Sequence, residues 1–143
     1  GIVLYYADIQ NYKKIKTIDK LRARESFVIG LFQVLAIIPG TSRSGIVYSG
    51  GRFLNISRIE AIRFAMLLSI PTILLSAFIP TYKFIKNPSS EFLLIGTVGF
   101  IISFITAYIS ISLIMSWVKN FSMIPFVVYR IILGSILLIY SIV

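Results

Sequence analysis

Residues 26–54 read SFVIGLFQVLAIIPGTSRSGIVYSGGRFL. An apolar run stops at Pro39-Gly40. Three hydroxyls and a guanidinium follow in Thr41-Ser42-Arg43-Ser44, and apolar chain resumes after Gly45. The first arm, 26–38, has about a dozen residues and reaches roughly 20 Å as a helix, short of a ~30 Å hydrocarbon core. The second arm, 45–54, is shorter still. Two half-length arms around such a turn predict a re-entrant helical hairpin over 26–54, its tip near mid-bilayer. Irregular backbone is tolerated there when it is buried in protein or lines a wet cavity. The alternative is a surface loop between two interfacial helices.

The rest of the chain fits a membrane setting. Its 143 residues are 57% hydrophobic and 13% charged, with mean hydropathy +0.93; a soluble domain carries about a quarter charged residues. Three full spans are predicted at 59–79, 92–118 and 125–143, the first kinked at Pro71, the second long enough to tilt, the third with Pro125 in its first turn. The fold class is therefore all-α: a polytopic membrane protein with a re-entrant hairpin and three transmembrane helices. Residues 1–7 read as the tail of a truncated helix. Residues 8–25 read as a polar loop with Lys13, Lys14, Lys16, Lys20, Arg22 and Arg24 against Asp8, Asp19 and Glu25. By the positive-inside tendency this loop is cytoplasmic. The opening Gly1-Ile-Val-Leu-Tyr-Tyr-Ala7 lacks a methionine, and we read the chain as the C-terminal part of something longer.

Composition closes several kinds of chemistry. There is no cysteine and no histidine, which removes thiolate sites and the commonest acid/base group. The net charge of +9 flanks hydrophobic segments, which points to anionic headgroups rather than nucleic acid.

The turn is the candidate site. Pro39 ends the first arm, and Gly40 permits a tight turn with close approach of a ligand. Thr41, Ser42 and Ser44 supply hydroxyl donors. A helix starting near Ser44 would aim free N–H groups and its dipole at an anion. Arg43 adds a planar fork that grips two phosphate oxygens. Each part has a plainer reading: a hydroxyl before a helix is an N-cap, and a lone membrane arginine snorkels or pairs with a carbonyl. The conjunction favours an anion cradle of the kind that stabilises a transferring phosphoryl group. Gln33 either bonds a turn carbonyl or helps hold a ligand or metal. Arg63 pairs locally with Glu60. Arg130 either snorkels or completes an arginine clamp.

Gln33 with Pro39-Gly-Thr-Ser-Arg-Ser-Gly45 resembles the second signature of the undecaprenyl-diphosphate phosphatase family, the bacitracin-resistance proteins. So do Ser57-Arg58, Ala61-Ile62-Arg63-Phe64 and Leu67-Leu68-Ser69-Ile70-Pro71 in the next helix, Pro125-Phe126, Tyr129-Arg130-Ile131 and Gly134 in the last, and Ala7-Asp8 before the basic loop. The likeness covers nearly the whole chain. It departs at Ile46-Val47, where the family usually has a small residue and a threonine, and at Asn55-Ile56, where Gly-Leu is common.

The resemblance implies hydrolysis of undecaprenyl diphosphate to the monophosphate carrier lipid plus inorganic phosphate. That recycles the carrier for peptidoglycan synthesis in the bacterial inner membrane and confers bacitracin resistance. It implies a fold of two inverted repeats, of which this chain is the second, inactive alone. Ser42 and Arg43 are then catalytic, with Gly40, Thr41, Ser44, Gly45, Arg130 and Gln33 binding substrate. Mg2+ or Ca2+ is expected, with its ligands in the first repeat and none in this chain. Partners are the polyprenyl diphosphate, membrane lipids and the first repeat; a homodimer is left open. The competing reading is a transporter of polyprenyl phosphate or another anionic lipid, because broken helices aimed at an anion also serve transport.

Overall fold

A computed structural model describes residues 1–10, 16–86 and 90–142, with main chain alone at 83, 84, 90–93 and 142. Lys13 and Lys14 of the basic loop and Val143 lie outside the described residues. The described chain is all-α: α1 (Ile2–Ile9), α2 (Ala23–Val34), α3 (Arg43–Phe53), α4 (Arg58–Lys86), α5 (Ser90–Asn120) and α6 (Ile124–Ile142). Short 3-10 turns occupy Ile18–Lys20 and Leu35–Ile37.

Among the described residues three helices are long and apolar enough to cross a membrane, at Arg58–Tyr82, Leu94–Asn120 and Ile124–Ser141. Their side chains are mostly uncovered. The accessible surface is 10969 Å², against about 7,400 Å² expected for a soluble monomer of this mass. Such apolar area demands a nonaqueous neighbour, so this is a multi-pass membrane protein. The long helices overrun the expected spans: α4 continues through Pro71 and Pro80 to Lys86. The first expected arm also begins earlier, at Ala23, and tightens into a 3-10 turn after Val34.

The short helix α3 is the centre of the fold, packing on α1, α2 and α4. Its residues Ile46 through Arg52 are buried. Helix α2 lies so close that a Cβ on Gly50 would sit 2.8 Å from the Phe32 ring. The two departures from the resembled pattern are both structured. Ile46 and Val47 are buried in the core. Asn55 has φ of 64°. It ends α3 in a Schellman motif, with Asn55 N–H on the Arg52 carbonyl at 2.9 Å and Ile56 N–H on the Gly51 carbonyl at 3.1 Å. Glycine and asparagine are the residues that tolerate that left-handed position.

The basic loop is tied down on both sides of its undescribed stretch. Lys16 N–H donates to the Asn55 carbonyl at 2.8 Å, and Ser57 N–H to the Lys16 carbonyl at 3.2 Å. Glu25 accepts from Lys16 Nζ at 2.6 Å and from Arg22 N–H at 3.0 Å. The Lys16 hydrogen bond, then the backbone donor, hold its carboxyl below the usual range. Its contribution is complete above the ordinary carboxylate pKa and fades as pH falls through the lowered one.

The residue that joins the layers is Asp8, expected in the loop but found inside α1 and 1% exposed. Tyr48 Oη of α3 donates to Oδ1, as does Arg58 Nε of α4 at 2.8 Å. Met123 N–H, at the α5–α6 junction, donates to Oδ2 at 2.9 Å. Arg58 also reaches the Asp8 carbonyl at 3.1 Å. Four elements therefore meet on one carboxylate.

Asp8→Ala would leave the buried Tyr48 hydroxyl and Met123 N–H without an acceptor, each at about 1–3 kcal/mol, so it should destabilise the full-length gene product, read as thermal unfolding in detergent. Asp8→Asn, which keeps one acceptor oxygen, should lose less. Equal stability of wild type and Asp8→Ala would show that the junction is held elsewhere. At Asn55, alanine should cost roughly 1–2 kcal/mol in the same assay while glycine is tolerated, because the penalty comes from the Cβ in the left-handed region.

Candidate active site at the Ser42 turn

Between the two short helices the chain makes a single β-turn. Thr41 N–H donates to the Ile38 carbonyl at 3.1 Å, and Gly40 has φ of 82°. Proline at the second turn position and a positive-φ glycine at the third are the marks of a type II turn. Helix α3 starts at Arg43, one residue before the expected Ser44, and Ser42 is its N-cap. Ser42 Oγ accepts from Gly45 N–H at 3.2 Å and lies 3.4 Å from Ser44 Oγ. A Cβ on Gly45 would stand 3.1 Å from Ser42 Cβ, so glycine there leaves the cap room to form.

The capping is incomplete in a useful way. Ile46 N–H bonds the Ser42 carbonyl at 2.9 Å, and Gly45 N–H bonds Ser42 Oγ. The N–H groups of Arg43 and Ser44 bond nothing among the described residues. They remain at the positive end of the helix dipole, a ready anion site. Because Ser42 Oγ acts as the cap acceptor, its own proton stays available to donate.

Two cavities flank this turn. One, of about 240 Å³, is walled by Leu4, Ile62, Ala65, Met66, Ile114 and Phe126, with Ser42, Ser44, Gly45, Tyr48 and Arg130 supplying its polar positions. The other, of about 270 Å³, has Gly40, Thr41, Ser42, Gly45, Ser49 and Arg130 among its lining. Arg130 thus faces the Ser42 turn across both. It makes no hydrogen bond or ion pair among the described residues. Ile62 to Met66 lie four to eight residues into α4, and Arg130 lies six residues into α6. The first cavity therefore sits roughly 6–12 Å in from those helix ends, within the apolar stretch of each.

The expected residues do not all gather. Gly40, Thr41, Ser42, Ser44, Gly45 and Arg130 line the cavities. Arg43 is exposed at the first position of α3 and lines neither. Gln33 is also absent from both linings. Its Nε2 donates to Thr72 Oγ1 at 2.9 Å, bracing α2 against α4 beside Pro71, rather than bonding the turn. Its Oε1 is buried without a partner among the described residues. Arg63 does pair with Glu60, at 3.7 Å. Sequence reasoning missed Tyr48, which joins the cavity wall to Asp8, and Ser49, a fully buried hydroxyl bonded back to the Gly45 carbonyl at 2.8 Å. The serine's position one helical turn after Gly45 was a usable signal; the Tyr48–Asp8 pairing, forty residues apart, had none.

A divalent cation does not fit the residues present. No carboxylate lines either cavity, and no group of three Asp, Glu, His or Cys side chains clusters among the described residues. Asp8, Glu25 and Glu60 are each engaged by hydrogen bonds within the fold.

Comparison with known proteins agrees with the turn signature. Residues 1–136 match the family described as bacitracin resistance protein BacA. An undecaprenyl-diphosphatase of Alteromonas mediterranea is 40% identical over 138 residues, 96% of this chain and 52% of the relative. One from Campylobacter curvus is 42% identical over 140 residues, and one from Roseobacter denitrificans 38% over 141. The chain spans about half the length of the curated relatives it matches. The matched residues span the Ser42 turn, its flanking helices and part of α6, and this chain belongs to the bacitracin resistance protein BacA family.

Proposed function

We propose that this chain forms the second-repeat half of an undecaprenyl-diphosphate phosphatase of the bacterial inner membrane, and that it is inactive alone. The observation that carries the reading is the meeting of the Ser42 turn and Arg130 across two shared cavities, in a chain related to proteins named undecaprenyl-diphosphatase. In this reading residues 26–54 re-enter the membrane, and the hairpin tip holds the diphosphate.

The chemistry follows from the donors. The Arg43 and Ser44 N–H groups and the hydroxyls of Thr41, Ser42 and Ser44 point positive hydrogen at the phosphate oxygens. Arg130 adds a charged bidentate donor from the opposite wall. Such preorganised donors stabilise charge that builds on the transferring phosphoryl group, and they do so most strongly where water is excluded. The apolar wall of Leu4, Ile62, Met66 and Phe126 takes the first isoprene units beside the headgroup. Arg43, exposed beside the turn, meets the diphosphate from the side on which the first repeat closes.

Ser42 is assigned as a donor, because its Oγ already accepts from Gly45 N–H and its proton stays free. Among the described residues no carboxylate lines either cavity. The base, and the carboxylates for Mg2+ or Ca2+, would come from the first repeat. Hydrolysis is preferred to transport here on the names of the relatives.

The test is phosphate release from a polyprenyl diphosphate by membranes carrying the full-length gene product. Arg130→Ala and Arg43→Ala should each lower kcat by about 10²–10³-fold, as loss of one charge-stabilising donor does. The lysine variants should recover little, because lysine lacks the planar fork. Near-normal turnover in Arg130→Ala would remove the shared cavities from the mechanism, and near-normal turnover in Arg43→Ala would remove that side chain. Full phosphate release by residues 1–143 alone would contradict the half-site reading.

A further inference from the structure

Positive charge also gathers at the other end of α3. Asp8, Gln10, Arg52, Ser57, Arg58 and Lys119 line a separate cleft of about 320 Å³. It shares no lining residue with the cavities at Ser42. Arg52 is ten residues beyond Ser42, roughly 15 Å along the helix. The cleft lies where spans end: Arg58 opens the span Arg58–Tyr82, and Lys119 and Asn120 close the span Leu94–Asn120. The same end carries the described part of the basic loop, through the Lys16 contacts to Asn55 and Ser57.

Three cationic side chains line this cleft against one carboxylate, Asp8. That carboxylate is already engaged by Tyr48, Arg58 and Met123 N–H. Arg52 is 6% exposed; its Nη1 donates to the Ile56 carbonyl at 2.8 Å and its Nη2 to the Gln10 carbonyl at 3.3 Å. These acceptors hold the guanidinium at the cleft wall. Lys119 makes no hydrogen bond or ion pair among the described residues. Ile9, Ile59 and Val118 complete the wall with apolar surface.

We propose that this cleft binds the phosphate of an anionic glycerophospholipid in the leaflet at that end of the bundle. Basic pockets between membrane helices recognise such headgroups by charge. Here the phosphate meets Arg52, Arg58 and Lys119, and the start of an acyl chain lies against Ile59 and Val118. Asp8 stands behind Arg58, so the lipid site adjoins the carboxylate that joins the helices. The inference rests on the membrane setting and not on the phosphatase reading.

The full-length gene product is placed in vesicles of equal phosphatidylglycerol and phosphatidylcholine, extracted, and its retained lipid identified by native mass spectrometry. Phosphatidylglycerol should be enriched, and Lys119→Glu should cut that enrichment by about fivefold or more, the expected effect of one basic side chain. Lys119 is exposed and outside the Ser42 site, so that variant should fold and release phosphate from polyprenyl diphosphate at the wild-type rate. Arg52→Gln should also lose the lipid, with folding checked by its unfolding temperature. Equal retention of the two lipids, or unchanged enrichment in Lys119→Glu, overturns the proposal. Millimolar inorganic phosphate should leave the lipid bound; displacement by it would assign the cleft to a free anion and overturn the lipid assignment. Loss of lipid with phosphatase activity intact, or the reverse, separates this inference from the catalytic one.

Discussion

A single buried carboxylate holds the fold's unlike parts in register. Asp8 accepts from Tyr48, Arg58 and Met123 N–H, bringing together α1, α3, α4 and the α5–α6 junction. Burying a charge is costly unless it is paired and fully hydrogen-bonded, and both oxygens of Asp8 are engaged. The consequence reaches the site. Tyr48 lies one and a half turns beyond Ser42 on α3, and Met123 comes just before the helix that carries Arg130. Both also line the first cavity. The distance between the Ser42 turn and Arg130 is therefore set from behind by one side chain that touches neither.

Local chemistry was legible in the sequence; pairing across the fold was not. Pro39-Gly40 announces its turn because proline restricts one φ and glycine frees the next. Ser42 announces a helix start because a hydroxyl satisfies an otherwise orphaned N–H. Asn55 follows the same logic, though only its φ of 64° explains why asparagine stands there. Asp8 was misplaced into the loop because an acid next to a run of lysines looks solvated. Gln33 was read toward the turn, yet it faces Thr72, thirty-nine residues on. Arg43 lies in a hydroxyl-rich turn and Arg130 in an apolar helix, and only packing shows that Arg130 is the one facing both cavities.

The site has a one-sided chemistry. It offers N–H groups, hydroxyls and a guanidinium, and among the described residues no carboxylate lines it. Donors of this kind bind and polarise a phosphate without delivering a nucleophile. The chain spans about half the length of its relatives, and a donor cradle is the part of the proposed reaction these residues are suited to perform. Helix α5 leaves most of its apolar surface uncovered, as a helix facing lipid does.

The most direct measurement uses the absence of cysteine in this chain. Ser42→Cys, in a full-length gene product otherwise free of cysteine, is labelled by a water-soluble thiol reagent with and without a non-hydrolysable polyprenyl diphosphate analogue. The account predicts that the analogue slows labelling, and that adding Arg130→Ala abolishes the protection. Labelling at one rate with and without the analogue would contradict it.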